Sequence, residues 1–316
     1  MEKILKVSSS PHVRAKHTTQ SIMLDVIIAL IPALLAGTYF YGLRALFVTL
    51  LTVGCCVFFE WGWEKFLKKP STIKDLSAVV TGILLAFNMP VNIPIYAIVV
   101  GAFIAIILAK QIFGGIGQNF INPALAGRAA LLAAYPTAMR TFTVPITGKF
   151  VVDAVTGATP LELMKNKLYD QMPTLADAFI GNIGGCIGEA SALALLIGGI
   201  YLIVRGIIKW HIPVCYLGTV FLMTILFGKC GVYMSFMSLF LGGVMMGAFF
   251  MATDYTTTPM TIKGQIIFAI GAGVITTVIR LWGGYPEGVS YSILIMNLTV
   301  PLIDRYIQQK CFGGGK

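Results

Sequence analysis

Apolar runs separated by short polar connections repeat along the whole chain. They fall at 22–39, 45–63, 76–87, 95–108, 123–134, 191–207, 214–227, 239–251, 264–279 and 291–303. A helix that crosses the hydrocarbon of a bilayer needs about 20 apolar residues, and fewer where it is broken and buried in protein. The pattern therefore predicts an all-α polytopic membrane protein of ten transmembrane helices. Several runs are too short to cross alone and adjoin Gly/Pro/Asn-rich segments at 88–94, 113–123 and 253–259. Broken backbone at membrane depth persists only where protein or a lined cavity satisfies it, so these segments are expected at the centre of the bundle.

The two halves of the chain are alike. A run around Gly82, a polar Pro-containing turn, a second run and then Phe113, Gly114 and Gly115 recur as a run around Gly242 and Gly243, the 253–259 turn, another run, and Trp282, Gly283 and Gly284. The offset is five spans, an odd number, which predicts two inverted five-helix repeats with a site between them. The expected layout is a terminal segment 1–20, a first membrane half 21–134, a connection 135–179, a second half 180–303 and a tail 304–316.

Composition fits this layout: 57% of residues are hydrophobic and 11% charged, too few charges to clothe a soluble domain of 316 residues. The net charge of +10 lies in short clusters between apolar runs and not along one face, so nucleic acid is not an expected partner. On the side opposite the amino terminus lie Arg44, Arg140, Lys149, Lys165, Lys167, Lys229 and Arg280. Arg128 is inside a run, and the rest of the 23 Lys and Arg fall on the amino-terminal side. The positive-inside rule then predicts cytoplasmic termini and an outward-facing 135–179 connection. The polar start of the chain does not resemble a cleaved leader. Six cysteines without Cys-x-x-Cys or Cys/His spacing predict no metal held by this chain alone.

Charged residues in or beside the runs are Asp25, Glu60, Arg128, Glu189 and Asp254, where an ionised group needs a partner or water. Asp25 and Glu60 lie within longer runs and are candidates for an ion path. Arg128, following Asn119 and Asn122, offers donors for a phosphate or the edge of a planar ring, with Asp254 at the corresponding place in the other half. Each of these charges is equally read as a group that snorkels or pairs to hold a broken helix. The tryptophans at run ends, Trp61, Trp63, Trp210 and Trp282, fit an interfacial belt.

Asp153, Thr156, Gly157, Ala158 and Thr159 form D-A-V-T-G-A-T within the outer connection. By chemistry alone this is an ordinary turn, and an unaided threonine hydroxyl is a poor nucleophile. The pattern D-x-x-[S/T]-G-A-T nevertheless resembles the flavinylation motif of the membrane subunits of the Rnf and Na⁺-pumping NADH:quinone oxidoreductase complexes. Further resemblance to that family covers nearly the whole chain: Ser10, Pro11 and His12 before Ile22 and Met23, the segment 114–119 leading into 122–128, and Met251–Asp254 followed by Pro259. The short amino-terminal segment is more similar to the D-type Rnf subunits, and Thr156 stands where serine is frequent.

The resemblance implies FMN in phosphoester linkage to Thr159, installed from FAD by a dedicated flavin transferase, and allows a second, non-covalent flavin (riboflavin or FMN). It implies a bacterial inner-membrane subunit that relays electrons between ferredoxin and NAD⁺ and couples this to Na⁺ or H⁺ transport. Ferredoxin and NAD⁺ would be handled by partner subunits with Fe–S and nucleotide sites. The competing readings are the quinone-reductase subunit of the same family and a non-redox transporter, since broken inverted repeats also build solute carriers.

Overall fold

A computed structural model describes residues 18–143 and 159–308. Every regular element among them is helical: α1 Thr19–Tyr41, α2 Leu43–Phe66, α3 Ser77–Phe87, α4 Ile95–Phe103 with a π-helical continuation Ile104–Gln111, α5 Pro123–Ala134, and the short α6 Pro136–Arg140, α7 Pro160–Lys165 and α8 Leu175–Ile180. There follow α9 Ala192–Val204, α10 His211–Gly228, α11 Gly231–Met237, α12 Val244–Met246 with a π-helical continuation Gly247–Met251, α13 Ile262–Trp282 and α14 Val289–Tyr306.

Helices α1, α2, α10 and α13 are long and apolar enough to cross a membrane, and shorter apolar helices accompany them. At 1.5 Å per residue the 23 residues of α1 reach about 34 Å, the depth of a bilayer core. The outward face of α1 is apolar, with Leu24, Ile28, Ile31 and Leu35 all exposed. Its inward face is small: Ala29, Ala33 and Gly37 are buried. This is the reverse of a soluble amphipathic helix, and small residues four apart let helix backbones approach closely where lipid supplies no hydrophobic drive. On α9, a Cβ at Gly198 would lie 2.0 Å from the Ala29 carbonyl oxygen. Helix α1 packs on α9, and α5 packs on α14.

Breaks in the helices have visible partners. Helix α3 ends at Asn88, whose Nδ2 donates to the Leu84 carbonyl at 2.7 Å, and the backbone N–H of Ile187 donates to the Met89 carbonyl at 3.1 Å. In the 253–259 turn the Thr258 hydroxyl donates to the Asp254 carbonyl and Gln265 donates to that of Pro259. The expected span at 239–251 is not one helix: α11 stops at Met237, and a turn intervenes before α12. Gly242 adopts φ +67°, and a Cβ there would collide with Leu161 and Glu287. The guanidinium of Arg280 holds the turn by donating to the carbonyls of Ser238 and Leu241, at 2.9 Å each. An apolar run records burial, and here glycine geometry overrides its helical continuity.

Candidate functional site

Two cavities lie at opposite ends of α1. Ile22, Met23 and Val26 in its first turns line one. Tyr41, its last residue, donates to the carbonyl of Ile183, which lines the other.

The cavity at the Tyr41 end has a volume of about 40 Å³ and is lined by Thr159, Arg128, Arg140, Glu189, Tyr285 and Glu287 among others. Thr159 is 7% exposed and caps α7. Its Oγ1 accepts from the Glu162 N–H at 3.3 Å while the Glu162 carboxylate accepts from the Thr159 N–H at 3.2 Å, a reciprocal capping box. The hydroxyl oxygen thus serves as an acceptor, a role an ester oxygen keeps. Arg140 stacks its guanidinium over the Tyr285 ring at 4.9 Å.

Arg128 is buried and spans the two halves, donating to Asn88 Oδ1 at 2.6 Å and pairing with Glu287. Glu287 in turn accepts from the Gly243 N–H at 3.1 Å. Glu189 precedes α9 and takes the Cys186 N–H on Oε2, leaving Oε1 without a partner among the described residues. Burial pushes its carboxyl above the usual range, and Arg128 pulls it back. Asp153, Thr156, Gly157 and Ala158 lie outside the described residues.

The second cavity, of about 110 Å³, is lined by Asn119, Asn122, Asp254, Thr256 and Lys110 within a largely apolar wall. Asn122 caps α5 by accepting from Ala124 and Leu125 N–H groups. Asn119 Nδ2 donates to Thr256 Oγ1 at 3.0 Å, and that hydroxyl donates to Asp254 Oδ2 at 3.2 Å, so the cavity joins the two halves. Burial raises the Asp254 carboxyl, against the hydrogen bonds of Thr256 and Thr257. Both π-helical stretches reach this cavity, one bringing Lys110 and the other Phe249 and Phe250. Such irregular turns are frequent at functional sites. Asn119, Asn122 and Asp254 therefore come together, whereas Arg128 belongs with Thr159.

Neither candidate ion-path carboxylate is unpaired. Asp25 accepts from Tyr201 at 2.8 Å and from Arg205 at 3.2 Å. Glu60 pairs with Lys110 at 2.7 Å, with both side chains buried. Lys110 also donates to Ser77 Oγ at 2.6 Å, and Thr72 connects Glu60 to a buried Glu64. Lys110, Arg205, Arg280 and Glu287 were not legible as site residues. Lys110 and Arg205 read as topology signals, although Lys110 adjoins the apolar run 95–108, a position at which a lysine needs a partner. No group of three or more potential metal-ligating side chains occurs among the described residues.

A family model described as "NQR2, RnfD, RnfE family" matches residues 6–313. The chain is 55% identical over 312 residues to the D-type subunit of the Na(+)-translocating ferredoxin:NAD(+) oxidoreductase complex of Acetobacterium woodii, covering 98% of this chain and 95% of that protein. It is 46% identical over 322 residues to the D-type subunit of the proton-translocating ferredoxin:NAD(+) oxidoreductase complex of Clostridium ljungdahlii, with 98% and 96% covered. To the D-type subunit of the ion-translocating oxidoreductase complex of Aliivibrio salmonicida it is 34% identical over 347 residues, with 98% and 99% covered.

Proposed function

We propose that this chain, which belongs to the NQR2, RnfD, RnfE family, is the D-type membrane subunit of an ion-translocating ferredoxin:NAD⁺ oxidoreductase. The observation that carries the reading is the 55% identity, sustained over 98% of the chain, to a relative so named. Other membrane, Fe–S and nucleotide-binding subunits supply the ferredoxin and NAD⁺ chemistry. In inverted bacterial membrane vesicles, deleting this chain is expected to abolish ion uptake driven by ferredoxin oxidation with NAD⁺. Uptake at the wild-type rate without it would refute the assignment.

The finer reading has ten spans in two inverted halves, with cytoplasmic termini and Thr159 outside. It is supported by the contacts of α1 with α9 and of α5 with α14, which relate the first and last helices of the halves pairwise. FMN carried on Thr159 and a second flavin in the cavity of Asn119 and Asp254 would supply one- and two-electron transfer near the two surfaces. For the first, Thr159 Oγ1 donates no hydrogen bond among the described residues, and Arg140 is a cation placed for the phosphoester. The 40 Å³ beside Thr159 suits a phosphoester and not a flavin ring. The covalent group is put in place by an FAD-dependent transferase.

For the second, Asn119, Asn122 and Asp254 would orient the ring's polar edge, while the apolar wall with Phe249 and Phe250 excludes water. Replacing Asn119 with Leu removes the polar link to Thr256. It is expected to lower the flavin released by acid from the purified complex by about one per complex, with the covalent label unchanged. An unchanged amount of released flavin would place the second flavin elsewhere.

A further inference from the structure

Four of the seven basic residues assigned to the outer side, against the prevailing charge bias, converge on one place. Lys165, Lys167, Lys229 and Arg280 line a cavity of about 420 Å³ at the outer ends of α10 and α13, and no described residue that lines it is acidic. Of the other three, Arg44 donates to the Val91 carbonyl, Arg140 lies on Tyr285, and Lys149 is outside the described residues. Arg280 is 8% exposed and spends its terminal nitrogens on two carbonyls, leaving Nε without a partner among the described residues. Lys165 is anchored on the Gly283 carbonyl, while Lys167 and Lys229 are exposed. Arg280 feels the charge of the buried Glu189, but the three lysines make no ion pair among the described residues, and gathered like charges are costly unless an anion completes the site.

The mouth of the cavity gives the depth of that anion. Trp282 and Phe227, in edge contact at 5.9 Å, are 63% and 49% exposed at the ends of α13 and α10, as aromatic residues are at a membrane interface. Along α10 below them, Leu222 and Leu226 present an exposed apolar strip four residues apart, suited to an acyl chain. We propose that this cavity binds the phosphate of an anionic phospholipid headgroup in the outer leaflet. The leaflet rests on the orientation proposed above. Basic pockets at helix ends bind such headgroups through roughly additive attractions.

The test uses the intact complex purified in mild detergent, with bound phospholipid measured by native mass spectrometry and by titration with phosphatidylglycerol, phosphatidylcholine or inorganic phosphate. Wild type is expected to retain phosphatidylglycerol over phosphatidylcholine. In a K165Q/K167Q/K229Q variant the phosphatidylglycerol affinity should fall on the order of 100-fold, and K165R/K167R/K229R should keep it. Equal retention in the Gln and wild-type proteins, or equal affinity for phosphatidylcholine, would overturn the proposal. So would inorganic phosphate binding without phosphatidylglycerol, which would make this a soluble-anion site. Retention is read whichever way the chain is inserted, so labelling of single cysteines from either side reports separately on the orientation.

Discussion

Thr159→Ala is expected to eliminate covalent flavin from this chain. Co-expressed with its transferase, the wild-type protein should give a fluorescent band on a denaturing gel and an intact mass raised by one esterified FMN. The Ala variant should give a dark band of unmodified mass. Loss of the label would not reflect loss of the fold, because removing one helix cap costs about 1 kcal/mol. Thr159→Ser keeps an oxygen in the same capping geometry and should restore the label at least in part. Glu162→Ala removes the reciprocal half of the capping box and loosens α7 without touching the acceptor, so its band should stay bright. Thr159 is only 7% exposed, so the transferase must reach it before α7 packs or through a local opening. A dark wild-type band, in cells where a known flavinylated protein is labelled, would sink the covalent assignment and favour a transporter without flavin.

Much of the helix pattern was legible because lipid-facing and buried positions are both apolar, and the runs record that directly. The expected 22–39 and 264–279 runs lie within Thr19–Tyr41 and Ile262–Trp282. The 239–251 run misled because hydropathy cannot distinguish a buried turn from a buried helix; the φ +67° at Gly242 and the carbonyl bonds of Arg280 make the difference. Of the site, the sequence set Arg128 with Asn119 and Asn122 and put Asp254 at the corresponding place in the other half, whereas Asn119, Asn122 and Asp254 line one cavity and Arg128 lines another. The pairing of Arg128 with Glu287 was not legible, because 159 residues separate them in sequence. Nor was the burial of Lys110: its register is set by the π-helical stretch, which no residue pattern announced.

Breaking the Glu60–Lys110 pair is expected to be the most destabilising charge change in the chain. Glu60 is 0% exposed and Lys110 2%, at 2.7 Å. Removing one partner of a buried pair typically costs about 3–5 kcal/mol, because the survivor is left charged or must change its protonation at low dielectric. Lys110→Met should lie at the upper end. It leaves Glu60 with Thr72 alone, beside Glu64, a second buried carboxylate bonded to the same hydroxyl. Glu60→Gln should cost less, since Lys110 keeps Ser77 and gains an amide oxygen as acceptor. The double change Glu60→Met with Lys110→Met should recover most of the loss, as apolar groups of similar volume replace buried ion pairs at little cost. Thermal unfolding of wild type, Glu60→Met, Lys110→Met and the double variant in one detergent closes the double-mutant cycle. Additive losses would mean that the pair does not act as a unit. Coupling at the expected size would make Glu60 a structural anchor for the ends of α2, α3 and α4 that meet around it, and an ion route through this carboxylate would then have to break the pair at each passage.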